Sequence, residues 1–266
     1  MQLQTLSRKK FGGFKKETPK HSRQLQSNDP EAVKFFRHVW ERYDVLMNTK
    51  PMPICYVEYY NWAVDLVGDF DASPHDIGMM LAALPEIYAA SPNPHGAGFL
   101  ISAFINSGSA SDYEISTHHL DFSPLNMGFA NCKNLVIHGE GLSNIGVKME
   151  SGSIRLRGNA EEYVGWELRG GSIIIEGNVT ANAGSSMYGG DLIIHGDFTK
   201  SFGFGMQGGT LIACGGLSSA LDNPLMEAAA ECMRGGEMYI MGCYPYSFDH
   251  VRSGKIYYKG RLVVDR

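Results

Sequence analysis

Apolar and polar positions recur with a period of 19 residues from residue 134 to residue 209. The four units read NLVIHGEGLSNIGVKMESG, SIRLRGNAEEYVGWELRGG, SIIIEGNVTANAGSSMYGG and DLIIHGDFTKSFGFGMQGG. The second and fourth positions are apolar and the first and fifth are polar, which is typical of a short strand with one buried face. Positions eight, twelve and sixteen are mostly apolar as well and predict further inward-facing sides. A fifth unit of 27 residues, from Thr210 to Gly236, and an incomplete sixth follow.

Glycine recurs at three positions of each unit, the sixth, the thirteenth and the nineteenth. We expect a corner at each, either with positive φ or where another backbone comes too close for a Cβ. About three corners per unit predict one coil of a sheet, called a rung here, with rungs stacked about 4.8 Å apart. The predicted corner glycines are Gly139, Gly146, Gly152, Gly158, Gly165, Gly171, Gly177, Gly184, Gly190, Gly196, Gly203 and Gly209.

Other glycine-rich architectures do not fit this period. Collagen needs glycine at every third residue, and the calcium-binding nonapeptide repeat needs an aspartate in each unit. A propeller blade needs roughly forty residues. The sequence therefore predicts an α+β chain that is mainly β, a solenoid of about six rungs behind an N-terminal helical segment.

The repeat resembles that of a known family. The segment NAEEYVG at 159–165, followed by LRGGSIII at 168–175, is similar to the glycine-repeat (GXGXG) β-helix. That β-helix forms the C-terminal domain of the glutamate synthase large subunit and one of the subunits of formylmethanofuran dehydrogenase. The resemblance covers about residues 113 to 260 and implies a right-handed parallel β-helix with an architectural role. In those enzymes other domains or subunits perform the glutaminase, flavin, iron–sulfur and metal-pterin chemistry, so the resemblance implies no cofactor for this chain.

Two segments of different character precede the repeat. Residues 1–28 hold seven Lys or Arg and one Glu, a net charge of +6, while the remaining 16 basic and 27 acidic residues give −11. We expect this basic tail to be disordered, either simply solvated or docked on an acidic partner or nucleic acid. Residues 29–110 show helical spacing, and the β-helix is assigned to residues 111–266. Helices are predicted from Pro30, over 54–67, over 77–90 behind a Ser73 and Asp76 cap, and over 98–106.

Composition narrows the function further. The chain has 266 residues, of which 44% are hydrophobic and 19% charged, and it contains neither a membrane-length apolar run nor a secretory signal. Five cysteines in no CxxC pair predict buried free thiols and a cytoplasmic protein rather than a disulfide or metal framework. The acidic body disfavours nucleic acid as a partner. We expect no bound metal or other cofactor.

Candidate catalytic residues are few. His118, His119 and Asp121 lie together, with Glu114 close by, and such a cluster suits a metal ion or acid–base chemistry. Adjacent residues of a strand point to opposite faces, so the two histidines could share a site only if this segment is a loop. His138 and His195 fall on a column of fifth positions that resembles a solvated edge.

The third position of each rung should point outward, yet it is mostly apolar. It reads Val136, Arg155, Ile174, Ile193, Ile212 and Tyr239 in successive rungs. An apolar row of this kind is rarely left in water. We expect it to be covered, either by the chain's own helices or by another protein subunit.

Two features near the C-terminus have open interpretations. The extra stretch Pro224 to Met233 is rich in helix formers and predicts a short helix, either an end cap or part of a binding face. An aromatic cluster is expected to close the core: Tyr244, Tyr246, Phe248, Tyr257 and Tyr258.

The favoured function is a non-catalytic scaffold subunit of an oxidoreductase-type complex. Two alternatives stay open. One is a small enzyme or metal-binding protein with a site at the junction of helices and solenoid, using His95, His118, His119 and Asp121. The other is a module that binds an acidic partner through the basic tail.

Overall fold

The computed structural model describes residues 30–49, 56–90, 94–217, 230–244 and 247–266. Within these ranges, helices precede a parallel β-solenoid of about seven turns. The helices are α1 (Glu31–Thr49), α2 (Tyr56–Val67), α3 (Pro74–Ala90) and α4 (Pro94–Ser107). The strands are β1 (Asp112–Ser116), β2 (Asn134–His138), β3 (Ser153–Arg157), β4 (Ala160–Glu162), β5 (Ser172–Ile175), β6 (Val179–Ala181), β7 (Asp191–Ile194), β8 (Phe198–Lys200), β9 (Thr210–Ala213), β10 (Arg234–Ile240), β11 (Ser253–Tyr258) and β12 (Arg261–Asp265).

The parallel β-helix predicted from the repeat is confirmed. The larger sheet has the order β1-β2-β3-β5-β7-β9-β10-β11-β12, and a second sheet joins β4, β6 and β8. Strands pair in parallel with each residue beside its equivalent in the next unit, as Leu135 beside Ile154 and Ile154 beside Ile173. These inward residues are buried, as the alternation required. The stack has about one rung more than predicted because β1 already pairs with β2 ahead of the first regular unit.

The glycine corners have two different physical causes. At the thirteenth position, for example Gly165, φ lies between +65° and +69°, and at the nineteenth it lies between +74° and +84°. The sixth-position glycines are required mainly by close approach between rungs. A Cβ at Gly177 would lie 2.6 Å from the carbonyl oxygen of Gly158, closer than any real side chain allows. The repeat therefore selects glycine at the sixth position for space and at the thirteenth mainly for backbone conformation. At the nineteenth it does so for both reasons, since a Cβ at Gly171 would also lie 2.6 Å from Gly152 O.

A ladder of side-chain oxygens runs up the seventh position of the rungs. Each oxygen accepts the backbone N–H of the equivalent residue 19 positions later, at distances of 2.7 to 2.9 Å. The acceptors are Glu140 Oε2, Asn159 Oδ1, Asn178 Oδ1 and Asp197 Oδ1. The corners after β3, β5, β7 and β9 therefore have this backbone donor satisfied without water.

The helices form where the sequence predicted them. Ser73 and Asp76 make a reciprocal cap at the start of α3, because the Ser73 N–H donates to Asp76 Oδ2 at 3.0 Å and the Asp76 N–H donates to Ser73 Oγ at 3.2 Å. Pro94 opens α4, where its missing N–H costs nothing. The helical segment of 29–110 therefore follows local sequence signals closely.

These helices close the first end of the stack. The backbone of Leu125 lies so close to α4 that a Cβ at Gly98 would overlap its carbonyl oxygen. Buried Ser102 Oγ donates to Gly98 O at 2.6 Å and accepts the N–H of Phe129 at 3.2 Å. The rings of Tyr60 and Phe129 lie 4.9 Å apart. The first rung thus packs its open side on helices instead of water, as the terminal repeat of a solenoid requires.

A β-hairpin closes the other end. β12 pairs antiparallel with β11, and the register shifts between Ile256 and Tyr257. Both turn residues, Lys259 and Gly260, have positive φ, which suits a tight hairpin. Val264 is buried against the last rung, while Leu262 and Val263 are about half exposed.

The expected aromatic closure is only partly correct. Tyr244 is buried and stacks on Phe248 with ring centroids 5.0 Å apart. Tyr257 instead lies on the outer face of the sheet, where it stacks on Tyr239, because it follows the inward residue Ile256 on the same strand. Tyr246 lies outside the described residues.

The prediction of buried thiols is wrong for three of the five cysteines. Cys132, Cys214 and Cys243 are exposed, and Cys232 is partly buried, all of them unpaired. Cys214 is exposed because it occupies the fifth position of its rung, which points outward. Cys55, the basic tail 1–28 and most of the insertion that begins at Pro224 lie outside the described residues.

Replacing Gly177 by alanine should lower the free energy of unfolding by about 2 kcal/mol or more, because its new Cβ meets the backbone of the neighbouring rung. Gly78→Ala is the matched control, since Gly78 lies in α3 with open space where a Cβ would be. That change should stabilise the protein by about 1 kcal/mol. Urea unfolding of both variants measures the difference, and equal effects would contradict the close-approach explanation.

Alkaline pH should destabilise the fold through Tyr60. Burial raises the pKa of Tyr60 to about 12, whereas an unfolded tyrosine ionises near 10. The stabilising contribution of the neutral side chain is complete below pH 10 and is lost as the pH rises towards 12, by about 2 kcal/mol. Urea unfolding between pH 9 and 12 should show a smaller loss of stability in Tyr60→Phe than in the wild type. An identical loss would refute the assignment to Tyr60.

Candidate interaction face and junction cavity

The outer face of the larger sheet carries a continuous line of mostly apolar side chains. Its middle is the line of third positions, called the outward row here. From the first strand to the last it consists of Glu114, Val136, Arg155, Ile174, Ile193, Ile212, Tyr239, Tyr257 and Leu262. The sequence predicted six of these residues. Glu114, Tyr257 and Leu262 were missed as members because β1, β11 and β12 lie outside the regular repeat.

Within the residues that the structure describes, no helix covers the outward row, which corrects the expectation that the N-terminal helices cover it. The described helices pack on the first rung, chiefly α3 against β1. Ile174, Ile193 and Ile212 are partly exposed, and Leu262 is 49% exposed. The helical segment lies at the end of the stack because the open first rung exposes more apolar core than the face does.

Charged residues on this face are paired at its first end. His138 Nε2 lies 2.6 Å from Glu114 Oε1, and Arg157 lies 3.9 Å from the same oxygen. The hydrogen bond from His138 and the nearby cations lower the pKa of Glu114. Arg155 donates to Glu176 Oε1 at 2.9 Å. These charges are thereby paired with one another, and the Arg155–Glu176 pair lies beside Ile174.

Two tyrosines define the other end of the row. The rings of Tyr239 and Tyr257 are parallel within 3° and 4.5 Å apart. The Tyr239 hydroxyl donates to Glu237 Oε2 at 2.7 Å, and this hydrogen bond is the main reason that its pKa is raised to about 12. The stacked pair forms a rigid aromatic surface beside Ile212.

A cavity of about 310 Å³ lies beside the start of the solenoid. His118 and Asp121 line it, as do three residues that sequence reasoning missed, Thr117, Ser123 and Glu140. Glu140 could have been found from the seventh-position column of side-chain acceptors. Because Glu140 Oε2 accepts the N–H of Asn159, one of its oxygens belongs to the ladder.

The two adjacent histidines do not form one site. Residues 118 and 119 form a turn, and His119 Nε2 lies 2.9 Å from the carbonyl oxygen of Leu81. A carbonyl only accepts, so this nitrogen is the donor, and His119 connects the first rung to α3. His95 lies in the first turn of α4. Within the ranges that the structure describes, no three His, Cys, Asp or Glu side chains are placed to hold a metal ion.

Comparisons of the chain with protein-family models, with curated proteins and with solved structures gave no match. The resemblance to the glycine-repeat family therefore stays a prediction from the repeat itself. In the part of the chain that is described, no helix combines the length and apolar character needed to cross a lipid bilayer.

Substitution of the two histidines should separate their roles. His119→Ala should lower the free energy of unfolding by about 1 kcal/mol, because it removes the hydrogen bond to Leu81 O that connects the solenoid to α3. His118→Ala should change it by less than about 0.5 kcal/mol, since the exposed side chain only lines the cavity. Urea unfolding of the two variants measures this, and a larger effect at His118 would show that the roles are reversed.

Proposed function

We propose that this protein is a non-catalytic interaction β-helix whose outward row binds a protein subunit. The single observation that carries the proposal is the row itself, in which Ile174, Ile193 and Ile212 lie partly exposed on three neighbouring strands. Monomeric proteins rarely expose large contiguous apolar patches, and such patches mark interaction sites.

The rigidity of the face supports this use. Parallel pairing holds neighbouring side chains of the row about 4.8 Å apart, and the core under them is fully buried at Ile173, Ile175, Leu192 and Ile194. A partner would therefore meet a preformed surface and would lose little affinity to ordering it. Polar and ion-paired residues beside the row provide the rim that such interfaces show.

We further propose that the protein acts as a scaffold subunit of an oxidoreductase-type complex. The support is the resemblance of the repeat to β-helices that are parts of such enzymes, in which the chemistry belongs to other domains or subunits. Three exposed unpaired thiols, Cys132, Cys214 and Cys243, suit the reducing cytoplasm. On this proposal the chain contributes shape and contact surface.

A second candidate function is supported by the junction cavity. A volume of about 310 Å³ lined by His118 and Asp121 suits a small polar ligand and places an imidazole and a carboxylate beside it. This favours a stand-alone small enzyme or ligand-binding protein with its site where the helices meet the solenoid. The two functions differ in the residues on which they depend, since the cavity and the outward row share none.

Affinity purification of the full-length chain from its native cells tests the proposal. Mass spectrometry should find stoichiometric redox-enzyme subunits with the wild type, and Ile193→Glu should lose them because it places a charge in the centre of the row. Gln207→Glu adds the same charge at an exposed position on another side of the rung and should keep them.

Two results would count against the scaffold function. One is co-purification that Ile193→Glu leaves unchanged. The other is a partner-free protein that retains a small molecule or metal, loses it in His118→Ala and keeps it in Ile193→Glu. The second result would establish the cavity as the functional site.

A further inference from the structure

The residues of the outward row are arranged in complementary pairs about a line between β7 and β9. Next to this line lie Ile193 on one side and Ile212 on the other. One strand further out lie Ile174 and Tyr239, and two strands further out lie Arg155 and Tyr257. Each pair joins two apolar side chains, or a guanidinium and an aromatic ring. Such pairs attract one another when two faces are brought together.

The columns beside the row continue the complementarity. About the same line, Asp191 is opposite Thr210 and Ser172 is opposite Glu237 among the first positions. In each of these pairs a hydroxyl can donate to a carboxylate. Among the fifth positions, His195 is opposite Cys214. The like-charged pair Arg157 and Lys259 falls at the rim, where the charge of Arg157 is shared with Glu114 at 3.9 Å.

We propose that a second copy of this chain covers the face, related to the first by a two-fold axis that runs parallel to the strands between β7 and β9. Such an axis reverses the order of strands and keeps the strand direction. It therefore places Ile193 of each copy against Ile212 of the other, and Arg155 against Tyr257. The inference rests on the proposed function in taking the outward row as a protein-binding surface, and it names a second copy as the protein bound there. Redox-enzyme subunits whose recovery depends on Ile193 would then bind the dimer and not the row directly.

The other face-to-face arrangement is disfavoured by charge. A two-fold axis along the stack would place every third-position residue against its own equivalent. Arg155 would then face Arg155 of the other copy and Glu114 would face Glu114, and like charges brought together at an interface cost several kcal/mol. The axis parallel to the strands avoids both contacts. Both arrangements align the strands of the two sheets, which is the common geometry of sheet-on-sheet packing, so charge decides between them.

The size of the face is sufficient for a specific dimer. The proposed axis pairs eight of the nine strands of the sheet. At about 4.8 Å for the width of each strand and 3.3 Å per residue, the contact measures roughly 38 by 16 Å. Two such faces bury about 1,200 Å² together, which is the lower limit of the usual range for stable interfaces. The dimer therefore needs nearly the whole face, including the tyrosine pair, and a charge placed at its centre should prevent it from forming.

Sedimentation equilibrium of the purified full-length protein at micromolar concentration tests the inference. The wild type should have twice the mass of the chain. Ile193→Glu and Ile212→Lys should each weaken dimerisation about 100-fold or more, because two uncompensated charges are buried in each dimer. The control Gln207→Glu should remain dimeric. Circular dichroism and thermal unfolding show whether each variant keeps its fold.

Mixing the two variants tests the pairing itself. In an equimolar mixture of Ile193→Glu and Ile212→Lys, the new carboxylate of one chain faces the new ammonium group of the other, so the dimer should return. If the mixture stays monomeric although both variants are folded, the proposed axis is wrong. If the wild type is monomeric, or if neither variant affects its dimer, the second copy is not the partner of this face.

Failure of the dimer differs from failure of the proposed function. A monomeric wild type that recovers redox-enzyme subunits from cells in an Ile193-dependent manner would overturn this inference and leave the scaffold function standing. A dimer that re-forms in the mixture, while neither Ile193→Glu nor Gln207→Glu changes what co-purifies, would support the inference and remove the scaffold function.

Discussion

The stacking of each rung on the equivalent residues of the rung before it is the constraint on which the whole molecule depends. The N–H of Gly165 donates to Ile145 O and that of Gly184 donates to Val164 O, both at 2.8 Å. The side-chain ladder repeats the same step at another corner, from Asn159 to Asn178. Because hydrogen bonds, apolar contacts and glycine clearances all repeat together, a shift of one residue would break all of them at once. Stability is therefore a sum over neighbouring rungs, and only the ends need special solutions.

The fold could be predicted from the sequence because equivalent positions of successive 19-residue units carry the same type of residue. The inward residues Leu135, Ile154 and Ile173 share a position, and so do the glycines. The first and last strands were harder to place, since β1 belongs to a rung without the regular spacing and β12 reverses direction. Residues such as Tyr163 and Asn182 adopt positive φ at the eleventh position. This corner could not be predicted because the residues there are not glycine, the residue type that usually indicates positive φ.

Less of the candidate sites was predictable. The aliphatic character of the third positions was visible, but its exposure depended on where the helices pack, which is a property of tertiary structure. The alternation of side chains along a strand could not predict whether His118 and His119 point in different directions. The two residues lie in a turn, and contacts with α3 set its geometry. The cavity brings Thr117 and Glu140 together across different rungs. Sequence periodicity shows which residues occupy equivalent positions in successive rungs. A cavity depends instead on which of those positions a neighbouring element does not cover.

The reversal of β12 has a consequence for how the protein can grow into larger assemblies. A parallel stack is open-ended, because the last rung exposes the same unpaired backbone N–H and C=O groups through which each earlier rung binds the next. Identical molecules could therefore add to it without limit. The antiparallel strand presents a different edge, with a shift in register beside Tyr257 and opposite charges at Arg261 and Asp265. Irregular, charged edges are poor templates for further strands. With helices over the other end, the molecule has a defined length, and growth along its axis into fibres is blocked.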